Sequence, residues 1–287
     1  TLDPKRFPAL ADGTNHSLKL ILEDTSGNLI PSSEVILAFE TAAIETPTPT
    51  PGGEDTPEPT DTPLPAQPGK QPSLIEIQEM SRRLLKQFSG SFAYKFEPQF
   101  LQEVQKRTAD YAAAEGYSTR AETYRDLINE EFRKGEGLDA PLGFLLAMSR
   151  SKFNPEKQGA DEGLWQLSEE LVAPYKTPCL SESLSDKSQA CAAKTAAIYT
   201  KALVLKLFNG DVVYGVSAFG MSEQEASTWA SSLPPNRENF WRVITNPKQR
   251  EQVAKFFAAA IVAENPQKFG MKKDKPISGL YRNLIGN

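Results

Sequence analysis

From residue 74 onward, apolar side chains recur every three or four positions, the spacing that lines one face of an α-helix. In "LIEIQEMSRRLLKQF", Ile77, Met80, Leu84 and Phe88 fall on one stripe, and "RAETYRDLINEEF" aligns Tyr124, Leu127, Ile128 and Phe132 in the same way. Asp139 and Pro141 open a third helix, "APLGFLLAMS", whose apolar residues go nearly all the way round, as expected of a helix central to a core. Asp186 and Gln189 read as a capping-box-like start to an Ala-rich helix ending near Phe208, and Asn246 with Pro247 opens another that runs through Glu264.

The pattern changes ahead of residue 74. In "HSLKLILEDTSGNLIPSSEVILAFE", two β-rich runs at residues 18–22 and 34–39 flank the turn signal "TSGN", which predicts a hairpin. A lone hairpin is marginal in water, so the element is expected to pair with something else. The stretch "TPTPTPGGEDTPEPTDTPLPAQPGKQP" is nearly all Pro, Thr, Gly and acid, and it cannot bury enough apolar surface to offset chain entropy. The expected organisation is a small β element over residues 1–45, an extended Pro/Thr-rich linker over 46–73, and a mainly α domain over 74–287.

Composition narrows the chemistry. Hydrophobic residues make up 39% of 287 positions, enough for a core, while the net charge of -5 without a dense Lys/Arg stripe argues against nucleic acid as a partner. No apolar run reaches the length of a membrane span. The chain begins at Thr1 with neither Met nor an apolar leader, so it reads as processed or cut from a longer protein, with an upstream anchor among the expectations. The single histidine, His16, lies on the hairpin side, which leaves the helical part without a His-based triad or zinc site. Two cysteines are too few for a Cys-rich metal site, and no phosphate-cradling glycine spacing occurs, so no metal and no cofactor are expected.

Five segments then fall in a telling order: "APLGFLLAMSRSKFNP", "GADEGLWQLS", the Ala-rich helix leading to "VYGVSAFG", "TWASSLP", and "NPKQREQVAKFFAAAIVAENPQKFGM". Over roughly residues 138–271 this order resembles the transglycosylase SLT domain of lytic transglycosylases, within the lysozyme-like superfamily. The resemblance implies a helical lysozyme-like fold and peptidoglycan as the substrate class. It also implies a single glutamate, in a segment resembling E-S-x-F-N-P at the end of the first core helix, that protonates the glycosidic oxygen.

Here that position is Arg150. A guanidinium keeps its proton to a pKa above about 12 and cannot act as a general acid. The neighbours Ser149 and Ser151 are not usable acids either. The family's A-Y-N-A-G stretch appears as "SAFGMS", so Phe219 lacks the hydroxyl and Gly220 lacks the amide of the implied sugar-holding pair. The sequence therefore carries no intact catalytic residue. The "GADEGLWQ" loop is one residue longer than the family's pattern and supplies Asp161 and Glu162, the fallback carboxyls for an active enzyme; Glu130 and Glu131 carry less weight on a surface-type helix face. Trp165, Gln166 and Phe219 are the candidate glycan contacts, although for Trp165 a plain core role is favoured over ligand contact, since tryptophan is highly buried on average.

Cys179 and Cys191 stand twelve positions apart at the entry to the Ala-rich helix. With the Thr-Pro linker and the peptidoglycan-type resemblance they read as a disulfide worth about 3 kcal/mol, against the alternative of two buried thiols. The implied setting is bacterial and extracytoplasmic: periplasmic, cell-surface or secreted. The expected partners are peptidoglycan glycan strands or an envelope protein. Three functional readings follow: a domain that has lost catalysis and binds glycan, a structural or protein-interaction scaffold, and a peptidoglycan-cleaving enzyme using a displaced carboxylate such as Glu162.

Overall fold

The computed structural model describes residues 15–20, 35–40, 71–90 and 93–282. The chain divides into two units, Thr1–Leu64 and Pro65–Asn287. In the first, β1 (Asn15–Leu20) pairs antiparallel with β2 (Val35–Glu40), from Asn15 opposite Glu40 to Leu20 opposite Val35. The first strand starts three residues before the run expected from residue 18. The "TSGN" turn and linker residues 46–70 lie outside the described residues.

The second unit is mainly helical, as the periodicity predicts. Its described residues begin at Gln71. The Gln71 amide donates to the Gln105 carbonyl at 3.2 Å, and the Gln105 amide donates to the Pro72 carbonyl at 2.6 Å. Ser73 then caps α1 (Leu74–Leu85) in a reciprocal box with Glu76, and Ile77, Met80, Leu84 and Phe88 are all buried.

Two helices form the centre. One is α5 (Ala140–Ser151), where every residue from Pro141 to Met148 is buried. The other is α11 (Pro247–Glu264), opened by the Asn246 side chain accepting from the Lys248 amide. The alanines along α11 keep its surface low, and α2 (Pro98–Ala112), α5, α1 and α8 (Val212–Ser217) pack against it. Phe100 anchors the α2 contact, its ring 4.9 Å from that of Phe240, which begins the short α10 (Phe240–Val243), and 5.1 Å from that of Phe257, both edge-on.

The stripe predicted over residues 120–132 is correct in its buried face but not in its continuity. The chain breaks at Tyr124 into α3 (Tyr117–Thr123) and α4 (Arg125–Ile128), then widens into a π-helical segment, Asn129–Gly135. Close packing accompanies the wide turn. A Cβ on Gly143 of α5 would stand 2.7 Å from both Ile128 Cγ2 and Phe132 Cγ, so only glycine lets these segments approach.

The capping box expected at Asp186 and Gln189 does not form. Asp186 instead accepts from the Ser188 amide and hydroxyl, and Gln189 takes a left-handed backbone, φ 57°, with its side chain fully buried. The helix, α7 (Ala190–Lys201), starts after it and widens into a π-helical end, Ala202–Leu207, just short of Phe208. Cys179 and Cys191 are joined by a disulfide with Cα atoms 5.7 Å apart. No helix among the described residues is long and apolar enough to cross a membrane.

Candidate functional site

Four separate stretches converge beside the C-terminal end of α5. The first is a two-stranded ribbon in which β3 (Asp161–Glu162) pairs with β4 (Leu167–Ser168). The second runs from α6 (Glu169–Val172) to Tyr175; the third joins α8 to α9 (Glu223–Ser232); the fourth is the face of α11 that carries Gln252. Between them lies a cavity of 540 Å³ whose walls include Arg150, Asp161, Tyr175, Phe219, Glu223 and Gln252. A smaller cavity of 260 Å³ shares Arg150, Phe219 and Gln252 with it, so the two are halves of one groove that meet at the arginine.

Arg150 is held from several sides. Its Nη2 donates to the Gln166 carbonyl at 2.9 Å and lies 3.5 Å from Asp161 Oδ2, Nε reaches the Trp165 carbonyl at 3.4 Å, and the guanidinium sits 5.7 Å above the Phe219 ring. Burial pulls its pKa below the ordinary guanidinium value, with the Asp161 charge opposing that shift. The neighbouring serines are committed elsewhere: Ser149 donates to the Leu146 carbonyl at 2.9 Å and Ser151 to the Leu164 carbonyl at 2.7 Å.

The ribbon decides which acid meets the groove. Successive residues of a strand point to opposite faces, so Asp161 lines the cavity while Glu162 turns away toward Lys157 and the Ser183 hydroxyl. The hydrogen bond from Lys157 holds the Glu162 carboxyl below the usual range, the opposite of what a general acid at neutral pH requires. Among the described residues, burial raises one carboxyl, that of Asp211. That residue caps α8 by accepting from the Tyr214 amide and the Tyr94 hydroxyl, and it does not line the groove.

The candidate sugar contacts take different places. Trp165 is 1% exposed, stacks on Phe132 at 5.2 Å and donates its indole N–H to the Gly143 carbonyl at 3.0 Å. It is core, because the same close approach that needs Gly143 closes over its ring. Gln166 is 3% exposed, and its amide N–H groups are used by the carbonyls of Glu156 and Gly163. Phe219, 1% exposed, forms the floor beneath Arg150 and leans on Tyr199 at 5.3 Å. The Tyr199 hydroxyl in turn donates to the Met221 carbonyl at 2.7 Å and accepts from the Gly220 amide at 2.8 Å, which fixes the turn after α8.

The polar groups that face the groove are ones sequence patterning did not single out. Tyr175 donates to Glu223 at 2.8 Å, and Glu170, Glu225 and Gln252 complete the walls. Glu223 and Glu225 do carry a readable signal, since Ser222 and Glu225 form the capping box of α9. Their place beside Arg150 depends on a long-range fold. Glu130 and Glu131 stay on the far helical surface, where Glu130 pairs with Lys134 at 2.7 Å. Among the described residues, no group of three or more His, Cys, Asp or Glu is placed to hold a metal ion.

No protein-family model matches the chain, and no curated protein matches it significantly.

Proposed function

We propose that residues 74–287 form a lysozyme-like, SLT-type domain that has lost catalysis and holds glycan strands of the bacterial cell envelope in its groove. The observation that carries this reading is the placement of Arg150: it stands at the centre of the groove, at the end of the first core helix, where the resembled family keeps its acid. A protonated carboxyl is needed there, and the guanidinium is locked by two carbonyls, Asp161 and the Phe219 ring instead. Loss of a general acid alone removes about 10² to 10⁴ of rate.

The groove that remains suits a polyhydroxylated chain. Its walls offer the carboxylates of Asp161, Glu170, Glu223 and Glu225 and the Gln252 amide, which accept from and donate to hydroxyl and acetamido groups, beside a largely buried Tyr175 phenol that orients Glu223. Among the described residues, the large exposed apolar side chains, Ile75, Leu180 and Leu205, lie on separate elements and do not line it, which favours glycan over a protein-docking scaffold. The active-enzyme reading loses its best candidate, because Glu162 faces away and is held ionised by Lys157. The disulfide is consistent with an extracytoplasmic setting.

The test is binding of soluble, uncrosslinked glycan strands, followed by calorimetry, for the wild type and for Gln252→Trp, which sets an indole into the groove from α11. Wild-type binding and its loss in a variant with an unchanged circular dichroism spectrum would support the reading. Equal binding by both proteins, or none by the wild type, would contradict it.

A further inference from the structure

The two halves of the groove differ in charge. The larger half presents the carboxylates of Asp161, Glu170, Glu223 and Glu225 to a single cation, Arg150. The smaller half reverses the balance, with Arg150, Lys248 and Lys255 against one carboxylate, Glu251. That carboxylate is already engaged: Lys255 Nζ lies 3.0 Å from it and Arg107 Nη1 3.4 Å. The Lys248 ammonium forms no ion pair among the described residues, nor does Arg150 Nη1 form a hydrogen bond there. Arg150 is only 25% exposed, and its one carboxylate neighbour is 3.5 Å away and itself half-exposed. A part-buried cation with a single, 3.5 Å carboxylate neighbour gains from an anion that completes its fork.

We infer that the smaller half of the groove, between Arg150, Lys248 and Lys255, is a subsite for a carboxylate carried by the bound glycan. A singly charged, planar group fits best. It matches the guanidinium edge, and Glu251 in the same wall repels a doubly charged one. The inference rests on the glycan reading for the rest of the ligand and adds the class of sugar, an acidic one, that the groove selects.

The experiment compares tetragalacturonate, chitotetraose and monomeric galacturonate by calorimetry and by ¹⁵N chemical-shift mapping, for the wild type and for Lys248→Gln. Lys248 is an exposed side chain without an ion pair, so its replacement leaves the fold intact. The wild type should bind tetragalacturonate about tenfold more tightly than chitotetraose, a preference that shrinks as salt rises and falls several-fold in Lys248→Gln while chitotetraose binding stays unchanged. Equal affinity for the two oligosaccharides would overturn the subsite and leave glycan binding standing. Shifts induced by galacturonate around Arg150 and Lys248, without binding of either oligosaccharide, would support the subsite and contradict the glycan reading. Binding of none of the three would overturn both.

Discussion

Gly163 shows how a single position shapes the site. Its backbone has φ 73°, and a Cβ there would fall 2.7 Å from the Leu184 carbonyl and 3.0 Å from the Gln189 side-chain oxygen, so Gly163→Ala should cost about 2 kcal/mol or more in urea unfolding. An unchanged midpoint would mean that the ribbon is not packed on the 179–191 loop as described. Acid sensitivity is also readable at single residues. The Ser73 backbone amide, followed by Lys268, lowers the Glu76 carboxyl from 4.5 to about 2. Because the folded pKa is depressed, this contribution to stability is present above the ordinary carboxyl range and is lost as pH falls toward about 2. Replacing Lys268 by Met should move the Glu76 titration upward in an NMR pH series; an unmoved titration would remove Lys268 from the account. At this scale the sequence made Arg150 legible, since no environment turns a guanidinium into a neutral-pH acid. The sequence also favoured a core role for Trp165, because tryptophan is highly buried on average, and the side chain is 1% exposed; it did not reveal that Gln166 is closed off as well, at 3%.

Local pattern carried the elements well where burial alone sets them. The stripe of α1, the all-round apolar α5 and the span of α11 from Asn246–Pro247 to Glu264 came out as read. It failed where a tertiary contact competes with a local rule. Asp186 and Gln189 have the spacing of a cap, yet the Gln189 amide is fully buried because it serves the ribbon: its Oε1 accepts from the Leu164 amide at 2.8 Å, and its Nε2 donates to the Leu184 carbonyl at 3.1 Å. The disulfide closes this same loop, so it braces the wall that carries Asp161. Reducing it should lower stability by about 3 kcal/mol and broaden the amide signals of residues 161–168, as read by denaturant unfolding and by NMR with and without reductant. Loss of stability with an undisturbed ribbon would separate the bridge from the site.

In the 65–287 unit, the groove is assembled from pieces far apart in the chain, which is why only part of it was legible. Arg150, Asp161, Gln166 and Phe219 were found from motifs and do meet, whereas Tyr175, Glu223, Gln252 and the lysines of the smaller half share no spacing with them or with one another. Their convergence follows from α11 passing beside α5 and from the turn that Tyr199 holds after α8. The central claim is that this groove grips a glycan without cutting it. The most direct measurement incubates the purified protein with peptidoglycan sacculi, sediments them, and assays the pellet for protein and the supernatant for anhydro and reducing-end sugars. The account predicts protein in the pellet and no sugar release above the protein-free control. Released sugars, abolished by Asp161→Asn or Glu223→Gln, would contradict it, as would protein that stays in the supernatant.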